Sequence, residues 1–213
     1  MAYAKGKLVG KLIGPPDKRI EVDFARFAPP APACGWEYNT AISPGGRWQA
    51  VYNCEHFLIF DGKTGQIKEI DLGEKFEEKR WALDAQWSPD GRTLAVRATM
   101  GRLPNPFSFL LLVDPWIGEV REVSVLRPSY IHNLAWSPNG RFILLSGTIS
   151  ETNRVSYRLI DLSTGQEHPL YLLPPEVRGG SSFAWSPDGD NLLINCTKPG
   201  EGALCIIQVE VQQ

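Results

Sequence analysis

Four segments of this chain share one pattern: Ile42-Ser-Pro-Gly-Gly-Arg, Trp87-Ser-Pro-Asp-Gly-Arg, Trp136-Ser-Pro-Asn-Gly-Arg and Trp185-Ser-Pro-Asp-Gly-Asp. Their serines, Ser43, Ser88, Ser137 and Ser186, fall 45, 49 and 49 residues apart. A near-constant period in this range means one supersecondary unit repeated, with each copy burying its apolar faces against its neighbours. The pattern is itself a turn. Proline presets φ for the second position, and Asp, Asn and Gly tolerate the tight bend that follows. Apolar and β-branched runs of strand length flank it: LDAQW, HNLAW and SSFAW before it, and LAV, FILL and LLI after it.

A second turn follows in three of the four units: Asp61-Gly-Lys-Thr-Gly65, Asp114-Pro-Trp-Ile-Gly118 and Asp161-Leu-Ser-Thr-Gly165. Each ends one apolar run and starts another, so each unit reads as a four-stranded antiparallel meander. Units of this kind arranged radially make the blades of a β-propeller. The expected blades span about 36–79, 80–127, 128–176 and 177–213. The last unit supplies only three strands before the chain ends. Residues 5–14 can be laid over Thr164-Gly165 and the strand after it, with nine residues from glycine to the first proline of a Pro-Pro pair in both places. The N-terminal segment is therefore expected to be the fourth strand of the last blade, closing the ring and hiding its open edge.

The W-S-P-D-G-R pattern followed by D-x-x-T-G resembles the TolB-type, WD-like propeller repeat, also seen in the propellers of prolyl-oligopeptidase-like enzymes. The resemblance covers nearly the whole chain and implies an all-β propeller. Propellers of this kind usually carry six or more blades, whereas four are legible here. Either the ring closes with four, or two chains pair into eight; the monomer is preferred over the homodimer.

A formal net charge of -2 has the wrong sign for tracking phosphates, so nucleic acid is not an expected partner. No apolar run approaches the ~18 residues of a membrane-spanning helix. The basic N-terminus has no apolar stretch behind it, so the expected location is cytoplasmic, or exported if a leader has been removed. In the cytoplasm Cys34, Cys54, Cys196 and Cys205 are expected as free thiols; after export the expected pairs are Cys196 with Cys205 and Cys34 with Cys54.

Candidate functional residues come from aligning the innermost strands. Six positions before the Ile42/Trp87/Trp136/Trp185 column stand Trp36, Trp81, Tyr130 and Gly179, with Arg80 and Arg178 beside them. Three positions before it stand Asn39, Asp84, Asn133 and Ser182. The first set puts aromatics and arginines at the mouth of the channel, where such side chains anchor peptides and small polar ligands. The second puts one short polar residue per blade along the channel. Loops 53–56, 100–107 and 149–155 vary in length on one face, as binding loops on a rigid scaffold do.

No Gly-x-Ser-x-Gly elbow or His-Glu-x-x-His is present. Gly62-Lys-Thr64 imitates the end of a phosphate loop, but Phe57 stands where its first glycine is required. His56 and His132 near Cys54 and Cys34 lack the spacing of a zinc site. The expectation is a binding or assembly module for a protein or peptide, with no cofactor and no metal. The alternative is an enzyme or small-ligand sensor with its site at the channel mouth, using Asp84 as acid or base.

Overall fold

The computed structural model describes residues 2–4, 7–10, 20–22, 39–53, 56–72, 80–100, 107–126, 129–149, 154–170, 178–198 and 201–209. All regular structure in them is β. Three four-stranded antiparallel sheets follow one another: β4(Asn39–Ile42) to β7(Ile67–Glu69), β8(Arg80–Trp87) to β11(Val120–Leu126), and β12(Ser129–Trp136) to β15(Gln166–Leu170). Between the end strands of these sheets lie β5(Trp48–Tyr52) and β6(Phe57–Asp61), β9(Leu94–Met100) and β10(Phe107–Val113), and β13(Phe142–Ile149) and β14(Arg154–Asp161). A last sheet holds β16(Arg178–Trp185), β17(Asn191–Lys198) and β18(Glu201–Gln208). In each sheet the strands lie side by side in chain order, the meander expected of a propeller blade.

The serine of each repeat closes its turn, a role proline and glycine alone do not reveal. Ser43 Oγ accepts from the Trp48 amide at 2.9 Å, Ser88 Oγ from Thr93 at 3.0 Å, Ser137 Oγ from Phe142 at 2.9 Å and Ser186 Oγ from Asn191 at 2.9 Å. The Ser88 hydroxyl in turn donates to Asp90 at 2.6 Å, and Ser137 donates to Asn139 at 2.7 Å. Gly91 sits at φ +68°, and a Cβ there would meet the Pro44 carbonyl oxygen of the preceding blade at 3.2 Å. Both conformation and space therefore require glycine.

The second turn is tied to the first by charge in two blades. Arg47 reaches Asp61 at 3.1 Å, and Arg141 reaches Asp161 at 2.7 Å. Asp61 also accepts from the Lys63 amide at 2.8 Å, and Asp161 from the Ser163 amide at 2.9 Å. In the second blade Asp114 accepts instead from the Trp116 amide at 2.7 Å, and Trp116 lies over the Arg47 guanidinium of the first blade, 3.9 Å from its ring centre.

Successive sheets pack face to face, and this explains the uninterrupted apolar runs. On β9, Leu94, Val96 and Ala98 face the first blade, while Ala95 joins Leu110 and Leu112 against the third. On β13, Ile143 and Leu145 face the second blade, and Phe142 and Leu144 face the last. A strand buried on both faces has no solvent side to mark with polar residues. The tryptophan of each repeat fastens its blade to the one before: Trp87 Nε1 donates to Ala41 O at 3.0 Å, Trp136 Nε1 to Gln86 O at 3.0 Å and Trp185 Nε1 to Ala135 O at 3.4 Å. Trp136→Phe should keep the packing and lose the bond, lowering stability by about 1 kcal/mol. The check is a shifted urea midpoint with an unchanged slope.

The expected closing strand is elsewhere. β2(Lys7–Gly10) lies between β1(Ala2–Ala4) and β3(Ile20–Val22) in a three-stranded sheet of its own, with Ala4 opposite Lys7 and Leu8 opposite Val22. Pairing across a two-residue connection costs far less loop-closure entropy than pairing with a strand at the other end of the chain. Among the described residues, β18 pairs only with β17.

The free-thiol expectation is corrected for two cysteines. Cys196 and Cys205 form a disulfide with their Cα atoms 5.9 Å apart. Neighbouring strands of one hairpin bring the two within bridging range. Cys34 and Cys54 lie outside the described residues.

Candidate functional site

The first strand of each blade, β4, β8, β12 and β16, runs at one edge of its sheet and neighbours the first strand of the next. Apart from Trp36, the residues singled out in the sequence fall on these inner strands. Asp84 on β8 stands opposite Arg97 on β9, with Arg97 Nη2 3.6 Å from Asp84 Oδ2. Tyr52 of the first blade donates its hydroxyl to Asp84 Oδ1 at 3.3 Å and accepts from the Ala85 amide at 3.1 Å. Burial, with the nearby Asp84 charge adding to it, pushes the Tyr52 phenol up to about 12, so it remains a protonated donor. On its other side Arg97 donates to the Ile131 carbonyl of the third blade. Arg97 and Asp84 together thus link three blades, Asp84 through Tyr52 to the first and Arg97 through the Ile131 carbonyl to the third.

Asp84 and Asn133 hold equivalent places in the repeat and make the same local bond. Asp84 Oδ1 accepts from the next amide, Ala85, at 3.0 Å, and Asn133 Oδ1 accepts from Leu134 at 2.9 Å. Part of their role is therefore to satisfy the strand backbone. Asn39 on β4 and Ser182 on β16 are exposed on the same set of inner strands.

His132 is a residue that the column alignment passes over. Ile131 pairs with Gly147 and Asn133 with Ser146, so His132 is the extra residue of a bulge. Its Nε2 lies 2.5 Å from Thr148 Oγ1, and its ring is 5.1 Å from that of Tyr130. Burial, and then the Arg97 charge, lower its pKa, which keeps the imidazole neutral near pH 7. The sequence does carry a signal for this bulge. Ile131 and Leu134 both enter the core between the second and third blades, and a spacing of three breaks the two-residue period of a strand.

Tyr130 stands opposite Thr148, beside His132 and next to the Ile131 carbonyl that receives Arg97. Of the expected mouth residues, Tyr130 is thus joined to the network that contains Asp84. Trp81 is the extra residue of a second bulge, between Arg80 opposite Met100 and Ala82 opposite Thr99. Arg178 stands opposite Thr197 at the start of β16. Trp36, and the side chains of Arg80, Trp81 and Arg178, lie outside the described residues.

A separate groove of about 450 Å³ opens on the turn side between the second and third blades, lined by Asp90, Asp114, Glu119, Arg121 and Trp136 among others. Two of its carboxylates are engaged in their own turns: Asp90 accepts from the Ser88 hydroxyl and the Arg92 amide, and Asp114 from the Trp116 amide. The groove is therefore built largely from turn-closing groups.

No protein-family model matches this chain, and no curated protein matches it in sequence. Solved structures do match it in fold. The structure of a putative TolB from Agrobacterium tumefaciens aligns with a TM-score of 0.56 at 20% identity, covering 80% of this chain and 57% of that one. The dipeptidyl peptidase 4 of Porphyromonas gingivalis aligns with a TM-score of 0.64 at 13% identity, covering 88% of this chain and 33% of that one. The β-propeller domain of the trilobed protease from Pyrococcus furiosus, described as having an open velcro topology, aligns with a TM-score of 0.50 at 13% identity and covers 80% and 57%. This chain therefore spans between a third and three fifths of the length of these proteins. Repeated Ser-Pro-x-Gly turns, meander sheets stacked face to face and these matches together give one conclusion: the chain has the fold of the TolB-type β-propellers.

Proposed function

We propose that this chain is a non-catalytic propeller module that binds a protein or peptide at the mouth of its channel. The observation that carries the reading is the cluster of Tyr130 and His132 on the inner strand β12 with Thr148 on the neighbouring β13, coupled through Arg97 to the half-exposed Asp84. It offers an aromatic face, a neutral imidazole and a carboxylate on adjacent rigid blades. Aromatic anchors beside a few directional polar groups are what peptide recognition uses. Acid–base chemistry is less well served. Asp84 is the only carboxylate in this network among the described residues, and it is already committed to Tyr52 and Arg97.

The test is selection of binders from a displayed peptide library, followed by titration against variants. Tyr130→Ala should weaken the selected peptides about tenfold or more, since an aromatic anchor is worth over 1.4 kcal/mol. Asp84→Asn should weaken those that carry a positive charge. Binders indifferent to both substitutions would move the site away from the channel mouth.

A further inference from the structure

Among the described residues, the outer face of the last sheet is left uncovered by the stacking, and the repeat shows what that face is shaped to receive. In the third blade Leu144, Tyr157 and Leu159 pack under the last sheet and are 0%, 3% and 4% exposed. Strand register makes Leu193, Leu204 and Ile206 their equivalents in the last sheet: Leu144 pairs with Leu159 as Leu193 pairs with Ile206, and Ser146 with Tyr157 as Asn195 with Leu204. These three are 39%, 69% and 74% exposed. Ala184, Asn195 and Gln208 complete the same exposed face. A solvent-facing side of an antiparallel sheet ordinarily carries polar residues at such positions, and a contiguous apolar patch marks an interaction site.

We propose that this face is covered by a second copy of the chain, which lays one of its own sheets upon it. Two observations select that occupant. The equivalent faces of the preceding blades are each covered by a sheet of this same repeat sequence, so the surface is complementary to sheets of this kind. None of Ala184, Leu193, Asn195, Leu204, Ile206 and Gln208 carries a charge. A charged partner would find nothing to pair with, whereas two copies meet without like-charge repulsion. The dimer, rather than the monomer preferred from the sequence, follows.

Light scattering on the full chain at about 50 μM tests this. The expected mass is twice 23.7 kDa. Leu204→Glu with Ile206→Glu should return it to 23.7 kDa with an unchanged β-sheet circular dichroism spectrum. Ile117→Glu, which charges an exposed isoleucine on a turn away from this face, should leave the dimer intact. If the double variant does not fold, Ile206→Thr serves in its place and should weaken the dimer about tenfold, a loss of about 1.4 kcal/mol. A wild-type mass of 23.7 kDa at that concentration means the face takes another polypeptide or none, and overturns the proposal. So does a folded double variant that remains dimeric.

Discussion

Asp161→Ala should lower the unfolding free energy by about 3 kcal/mol and the melting temperature by about 6–12 °C, given the usual scaling for a domain of this size. The carboxylate is buried and accepts from Arg141 Nη2 at 2.7 Å, the Ser163 amide at 2.9 Å and the Ser163 hydroxyl at 2.6 Å. Hydrogen bonds to an ionised group contribute about 1.5–3 kcal/mol each, but Arg141 is half-exposed and regains water when released, so the total falls well short of their sum. Arg141 and the Ser163 bonds hold the Asp161 carboxyl far below the usual carboxylate range, against the opposing effect of burial. A depressed folded-state pKa contributes stability that is fully present above the unfolded value of about 3.9 and is lost as pH falls below it. The gap between wild type and variant should therefore be constant from pH 7 to about 5 and narrow as the solution is acidified below about 4. Asp114, with no arginine on it among its described bonds, is the internal comparison. Equal losses from Asp114→Ala and Asp161→Ala would show that the arginine link adds nothing.

Reduction of the Cys196–Cys205 bridge is the other large expected effect. The bridge closes a loop with a sequence separation of 9. Chain-entropy arguments put its stabilisation at about 2.5 kcal/mol, or roughly 5–10 °C in melting temperature. The effect should be concentrated in the last sheet, where Cys196 is itself buried beside Ile194. Melting curves with and without a phosphine reductant read the total. A chain carrying Cys196→Ala and Cys205→Ala should melt at the lower temperature and owe none of its remaining reductant sensitivity to this pair. If wild type and double variant melt together, the bridge contributes no stability.

Much of the architecture was legible because its turns are chemically demanding. A bend that needs proline, a side-chain acceptor and a glycine at φ +68° leaves a mark that recurs wherever the bend recurs. The strands were legible as apolar runs for the same reason they are uninformative about direction: with both faces buried, composition does not say which residue faces which neighbour. The N-terminal strand was misplaced because its short apolar run suits either sheet, and the decision falls to connection length. On the inner strands, column alignment singled out Asp84 and Asn133, which make the same local backbone bond. It passed over His132, because a gapless alignment assumes unbroken alternation and a bulge breaks it. The partner cysteines could be paired from their flanking hairpin, but their redox state depends on the surroundings of the molecule, which residue order does not record.

The indole-to-carbonyl bond that joins each blade to its predecessor has a consequence for how such a chain can change in length. Every junction is made from the same parts: a tryptophan on the newer sheet and the carbonyl of the residue just before the corresponding position on the older one. A junction defined this way refers only to its two immediate neighbours. Duplicating or deleting one whole unit therefore restores an equivalent junction at the splice, with donor, acceptor and apolar faces already matched. Blade number is then a property that recombination can alter in single steps without redesigning any sheet.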